Sequence, residues 1–259
     1  MTTELSDYGL LPIFLVSLVV ILAACEIGRW LGARAGRRGD ENISTLEGAI
    51  LGLMALMIGF TFAMALSRFE ARRDAVLNEA NAIGTAALRA RLLSQPHRTE
   101  CLNLLREYVQ IRLNITQQVP SAAELKAAIT RSNEIQEALW QQVKAVAVTD
   151  NEVVPTGLFI ESLNEMIDNQ QKRLTALGNR VPNVVLLTLY GVAAVATAFA
   201  GYTSGLGKRP SRLPVYVMIV LVCAVILLIQ DLDRPLTGVS VNIQQPMIDT
   251  AASLNAFPD

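Results

Sequence analysis

The sequence is poor in the residues that build catalytic centres. It holds one histidine, His97, next to Pro96 and among polar residues, so a histidine metal cluster or a histidine-based triad lacks its parts. Its three cysteines, Cys25, Cys101 and Cys223, lie far apart, and two fall inside apolar runs. That spacing writes neither a disulfide framework nor a CxxC metal site, and leaves packing as their role. No stretch shows the period of a β-strand, and therefore no glycine-rich phosphate loop follows one. Charged residues are only 17% of the chain and sum to −1, so no global field favours nucleic acid. Lys and Arg are missing from Met1 to Tyr8, which carries Glu4 and Asp7 instead. A signal peptide needs a basic start, so the apolar run that follows is expected to be retained as an anchor. No cofactor, no resident metal and no enzymatic activity are expected; Asp231 and Asp233 with Gln230 offer oxygen ligands to a divalent ion, but too few for a closed site.

What is abundant is apolar surface. Hydrophobic residues make up 52% of the chain, and its mean hydropathy is positive, the composition of a membrane protein. Four runs are long enough to cross a hydrocarbon core of roughly 30 Å, which takes about 20 residues in a helix. They are Gly9 to Gly28, Leu46 to Leu66, Val184 to Ser204 and Leu213 to Gln230. The first pair forms a hairpin across "RWLGARAGRRGDENIST" and the second across "GLGKRPSR".

Between the hairpins the composition changes and a helical period sets in. Phe69, Val76, Ala80, Ile83 and Ala87 make one stripe, and Leu102, Leu105, Val109 and Leu113 a second. Leu125, Ile129, Ser132, Ile135, Leu139, Val143 and Val146 make a third, and Phe159, Leu163, Met166, Gln170, Leu174 and Leu177 a fourth. Breaks fall at "SQPH", "VPSAAE" and "TDNEVVPTG", and Ser121 with Glu124 fits a capping box. The expected fold is an all-α integral membrane protein in which two transmembrane hairpins flank an extramembrane amphipathic helical bundle. The expected division is a first hairpin at 1–66, a helical insert at 67–183, a second hairpin at 184–230 and a tail at 231–259.

Two ridges of small residues stand out: Gly48, Gly52, Ala55, Gly59 and Ala63 in the second span, and Gly191, Ala194, Ala198, Gly201 and Gly205 in the third. Such ridges let helices approach closely, within a subunit or between subunits. Glu26 near the end of span one is expected to pair locally with Arg29.

The second span ends "MIGFTFAMALSRF", which is similar to the pore-neck helix of bestrophins, where an Ile-Pro pair is followed by apolar and aromatic residues and then a basic-aromatic pair. Downstream, "EANAIGTA" (Glu79 to Ala86), with Glu79, Asn81 and Ile83, and "DLDRP" (Asp231 to Pro235) resemble recurrent motifs of the bacterial bestrophin-like domain family. The resemblance covers most of the chain, because hairpin, helical insert and hairpin is also the bestrophin order. It implies a homo-oligomeric ion channel in the bilayer, with a pentamer as the suggested ring and inorganic ions, anions among them, as candidate permeant species. It places the neck constriction on Ile58, Phe62 and Leu66, four residues apart on one helix face, where an apolar ring gates by dewetting. The sequence departs from the pattern at Gly59, where bestrophins carry proline, and at Leu66, where they carry an aromatic. It also lacks the long acidic run of the bestrophin calcium clasp. The competing reading is a non-conducting membrane sensor or scaffold whose insert binds a partner.

Spans two and four run in the same direction, so "SRFEARR" and "QDLDRP" emerge on the same side. Asp231 and Asp233 sit at a helix C-terminus, where the macrodipole disfavours negative charge by roughly 0.3–1 kcal/mol. An ion-pair belt or pore mouth is therefore expected among Arg68, Arg72, Arg73, Asp231, Asp233 and Arg234. Asn78, Asn81 and Thr85 form a polar ridge beside Glu79 that reads equally as a vestibule lining and as a solvated face. The hairpin loops, with Arg34, Arg37, Arg38, Lys208, Arg209 and Arg212, carry the denser positive charge and are expected on the inside of a bacterial cytoplasmic membrane. The bestrophin likeness implies the reverse orientation.

Overall fold

Long apolar runs with proline only in their first turns leave the backbone one way to satisfy its N–H and C=O groups in lipid, and every described secondary-structure element is a helix. The computed structural model describes residues 9–35, 40–117, 121–149, 153–206, 212–234 and 244–257. The helices are α1 (Leu10–Ala35), α2 (Asp40–Ala90), α3 (His97–Gln117), α4 (Ala122–Thr149), α5 (Leu158–Gly178), α6 (Asn183–Leu206), α7 (Leu213–Asp233) and α8 (Gln245–Asn255). Four of them contain segments long and apolar enough to span a membrane, and they coincide with the four expected runs. Proline opens α7 and α8 in the first turn, where a missing N–H is harmless. The capping box forms as expected: Ser121 N–H donates to Glu124 Oε2 at 2.7 Å and Glu124 N–H to Ser121 Oγ at 3.2 Å. The loop residues Arg37, Arg38, Lys208 and Arg209, and Pro235 of the second motif, lie outside the described residues.

The chain divides into two compact units, and α2 contributes to both. The membrane unit comprises the N-terminal part through Phe69 together with Arg180–Arg234. Its core is built from Ile21 and Cys25 of α1, Met54 and Ala65 of α2, Leu189, Ala193 and Ala196 of α6, and Ile219, Cys223, Ile226 and Ile229 of α7. Here α1 and α6 run parallel and touch backbone to backbone. A Cβ built on Gly28 would lie 1.9 Å from Ala198 O, one on Gly32 2.1 Å from Tyr202 O, one on Gly201 2.1 Å from Cys25 O and one on Gly205 2.4 Å from Arg29 O. The third-span ridge is thus used from Ala198 onward, and its partner is the Gly28-x-x-x-Gly32 pair of α1. Gly191 at the other end of that ridge meets nothing within 4 Å. Within the bilayer, Ser17 and Gln230 both hydrogen-bond the Tyr190 hydroxyl, at 3.0 and 2.9 Å, so helices α1, α6 and α7 share one polar junction.

The second unit comprises Glu70–Asn179 and the C-terminal residues from Pro235. The four amphipathic stripes meet in one core through Ile83 and Ala87 of α2, Leu102, Leu105 and Val109 of α3, Ile135, Leu139 and Val143 of α4, and Phe159, Leu163 and Met166 of α5, while Phe69, the first residue of the first stripe, packs in the membrane unit instead. Helix α8 completes it with Met247, Ala251 and Leu254. The Arg106 guanidinium donates to Leu254 O at 3.3 Å and Phe257 O at 3.0 Å, which fastens the end of α8 to α3. Cys101 is fully buried in this core, and burial pushes its thiol up to about 12, consistent with a packing residue.

Candidate functional site

In the membrane unit the informative element is the span of α2. Met54, Thr61 and Ala65 are buried toward the other helices, and Thr61 Oγ1 returns its proton to Met57 O at 2.7 Å. Rotating about 100° per residue away from that side leads first to Ile58, Phe62 and Leu66, all half-buried, and then to Gly48, Gly52, Ala55, Gly59 and Ala63, all exposed. Gly48, Gly52 and Gly59 meet nothing within 4 Å of where a Cβ would stand. The second small-residue ridge is therefore uncovered in a single chain, and the Ile58–Phe62–Leu66 line runs along its edge.

At the end of this span Arg68 is half-buried, while Asp231 and Asp233 of α7 are each 8% exposed. Asp233 Oδ1 accepts the Val181 N–H at 2.8 Å, tying the end of α7 to the segment that enters α6. Arg234 follows directly; desolvation lowers its guanidinium from its ordinary value, the Asp231 charge opposes that shift and Arg180 adds to it. Arg72 is buried and Arg73 exposed, both within the second unit. At the opposite end of the membrane unit, the expected pair forms, with Arg29 Nη2 2.7 Å from Glu26 Oε2.

The motif residue Glu79 has a different setting from the polar ridge beside it. Asn78 and Asn81 are exposed and Thr85 half-buried, but Glu79 is 0% exposed in the core of the second unit, next to buried Ile83. Arg112 Nε of α3 stands 2.7 Å from Glu79 Oε1, and Arg173 Nη1 of α5 stands 2.5 Å from Oε2. The Tyr108 hydroxyl lies 3.1 Å from Glu79 Oε1 and 2.6 Å from Gln170 Oε1, so one proton serves two acceptors. Gln170 also accepts from Gln136 Nε2 at 2.5 Å and donates to Asn133 Oδ1 at 3.0 Å. One carboxylate thus holds two guanidinium groups away from water. Burial lowers the Arg173 guanidinium, with Glu79 opposing and Arg112 adding to the shift. Burial likewise raises the Tyr108 phenol, and the Glu79 charge raises it further. Sequence reasoning singled out Glu79 and Gln170 but not Tyr108, Arg112 or Arg173.

The Bestrophin-like domain family matches residues 13–244. This chain belongs to that family. Its fold is similar to solved structures of a bacterial bestrophin homolog from Klebsiella pneumoniae. Against one point variant the TM-score is 0.66 at 15% identity, covering 95% of this chain and 99% of that one. A second variant gives 0.68 at 13% identity with 93% and 96% covered. A third structure, solved by zinc phasing, gives 0.62 at 15% identity with 92% and 97% covered. At such identities the likeness is one of fold, and it extends over nearly the whole bestrophin-like chain. No curated protein sequence matches it at a comparable level of significance. The chain is a multi-pass, all-helical membrane protein. Among its described residues no group of three or more His, Cys, Asp or Glu is placed to hold a metal ion.

Proposed function

We propose that this bestrophin-like chain assembles as a homo-oligomeric ion pore in a bacterial cytoplasmic membrane, with α2 lining the axis and anions as the permeant species. The observation that carries the reading is the uncovered ridge of α2. A membrane helix with a continuous strip of glycine and alanine, unpacked by its own chain, suits close packing of α2 copies around an axis. The adjoining Ile58, Phe62 and Leu66 then form stacked apolar rings, each able to close the path by dewetting. Binding and conduction, not catalysis, are the chemistry such a site supports. In planar bilayers, purified ring oligomers are expected to pass current, and Phe62→Ala is expected to raise it several-fold by removing the largest of the three apolar side chains from the path. A verified ring that conducts under no ionic condition sinks the proposal, and a monomer in detergent favours the scaffold reading.

The charged groups at the end of the span are assigned a second role in the same assembly. Arg68 is proposed to pair with the carboxylates of α7, so that α2 and α7 are locked where they leave the lipid. Asp231→Arg is expected to reduce the yield of oligomer on size-exclusion chromatography, and Arg68→Asp in the same chain to restore part of it. Equal yields from the single and double variants would remove Arg68 as the partner.

A further inference from the structure

The ends of α1, α6 and α7 that face the hairpin loops enclose a cavity of ≈ 640 Å³, lined by Glu26, Arg29, Trp30, Ala33, Gly205 and Arg212 with Ile27 at its side. Its acid is already committed. Glu26 Oε2 is held by Arg29 at 2.7 Å, and Oε1 accepts the Tyr216 hydroxyl at 2.5 Å. The Tyr216–Glu26 bond also braces the first turn of α7 against α1, so the cavity is a built feature of the helix ends. The positive charge is in excess: Arg34 lies over the Trp30 ring at 3.8 Å, and Arg212 has no ion pair or hydrogen bond from its side chain among the described residues. Arg212 is also the residue from which α7 starts, and no side chain caps that helix end. The unpaired N–H groups and the positive end of the helix dipole there favour an anion. The cavity volume leaves room for one.

The remaining walls specify what carries the anion. Ile27 and Trp30 are 60% and 53% exposed, at the level where the apolar run of α1 gives way to Arg29 and Arg34. An aromatic ring and an isobutyl-sized side chain at this depth suit the glycerol backbone and first methylenes of a lipid, below a headgroup held by guanidinium groups. From these observations we infer that the cavity binds the phosphate of an anionic glycerophospholipid, with Arg212 and Arg29 on the phosphate and Trp30 and Ile27 against the acyl chain. Basic pockets between transmembrane helices are suited to such headgroups. The site is separate from the α2 ridge, and its occupancy is independent of conduction.

Native mass spectrometry of the detergent-purified full chain tests it, using phosphatidylglycerol and phosphatidylcholine with identical acyl chains. Phosphatidylglycerol is expected to bind and phosphatidylcholine to bind at least about tenfold more weakly. Arg212→Gln is expected to weaken phosphatidylglycerol binding by about fivefold, the factor one interfacial basic residue contributes, without changing the unfolding midpoint of the lipid-free protein. Arg212→Lys is expected to retain most of the binding, and Lys126→Gln, on an exposed face of α4, to retain all of it. Equal binding of the two lipids, an equal loss from Lys126→Gln, or no loss from Arg212→Gln overturns the site. Displacement of the lipid by millimolar inorganic phosphate assigns the cavity to a free anion and overturns the lipid.

Discussion

Glu79→Gln is expected to lower the stability of the folded chain by about 3–5 kcal/mol, the loss typical of removing one partner from a buried ion pair. The substitution nearly preserves shape and keeps one hydrogen-bond acceptor, so packing does not decide the outcome. Charge does. With the carboxylate gone, Arg112 and Arg173, which are 1% and 2% exposed, would confront each other with no anion between them. Arg112→Met has a different consequence, because it leaves Glu79 paired with Arg173 at one charge each. It is expected to be milder than Glu79→Gln despite deleting the larger polar group. Replacing all three by apolar residues of similar volume is expected to recover most of the loss, since a removed ion cluster leaves no orphan. The readout is the thermal midpoint of helix loss for the purified chain in detergent. If Glu79→Gln proves no more damaging than Arg112→Met, the carboxylate is not what holds the two guanidinium groups in place.

This cluster also shows where the sequence could be read and where it could not. The stripes are legible because burial follows the 3.6-residue period, and the central residues of each of the four turn inward where the spacing says they should. The charges inside them were legible in principle. Glu79 falls between Val76 and Ile83, Arg112 between Val109 and Leu113, and Arg173 between Gln170 and Leu174, each on the stripe of its own helix. A charge in register with an apolar face is a signal of internal pairing, but its partner comes from another helix, and spacing along one helix cannot name it. The same limit hid α8, a short amphipathic segment near the end of the chain whose apolar face has meaning only against α3 and α2. The pore-side assignment rests on the opposite kind of information. Ile58, Phe62 and Leu66 share a face by arithmetic, yet whether that face meets an axis depends on other copies of the chain.

The second large effect is expected at the α1–α6 crossing, and it differs in sign from ordinary helix behaviour. In an exposed helix interior, Gly→Ala stabilises by about 1 kcal/mol through backbone entropy. Gly52→Ala, on the uncovered ridge of α2 with no atom of its own chain within 4 Å of the new methyl, is expected to follow that rule or to be neutral for the fold of the single chain, its effect falling instead on the packing of α2 copies. At Gly28 the same methyl would stand 1.9 Å from Ala198 O and 2.7 Å from Ala198 C. Backbone cannot rotate away as a flexible side chain could, so the helices must separate by more than an ångström or shift register. Either response also disrupts Gly32, Gly201 and Gly205, which depend on the same approach. Gly28→Ala is therefore expected to cost about 1–3 kcal/mol, the range of core overpacking, and Gly28→Leu to prevent recovery of a monodisperse folded protein. The small-residue ridge of the third span shows half of this contact in the sequence; the apolar run of span one ends at Gly28 and leaves Gly32 outside it. The helix in fact runs on to Ala35, and the four glycines fit together only once that extra turn is present. Fluorescence-detected size exclusion of Gly28→Ala, Gly28→Leu and Gly52→Ala, with thermal midpoints for those that fold, separates the two glycine classes. A Gly28→Ala protein as stable as the parent would mean that α1 and α6 do not approach so closely.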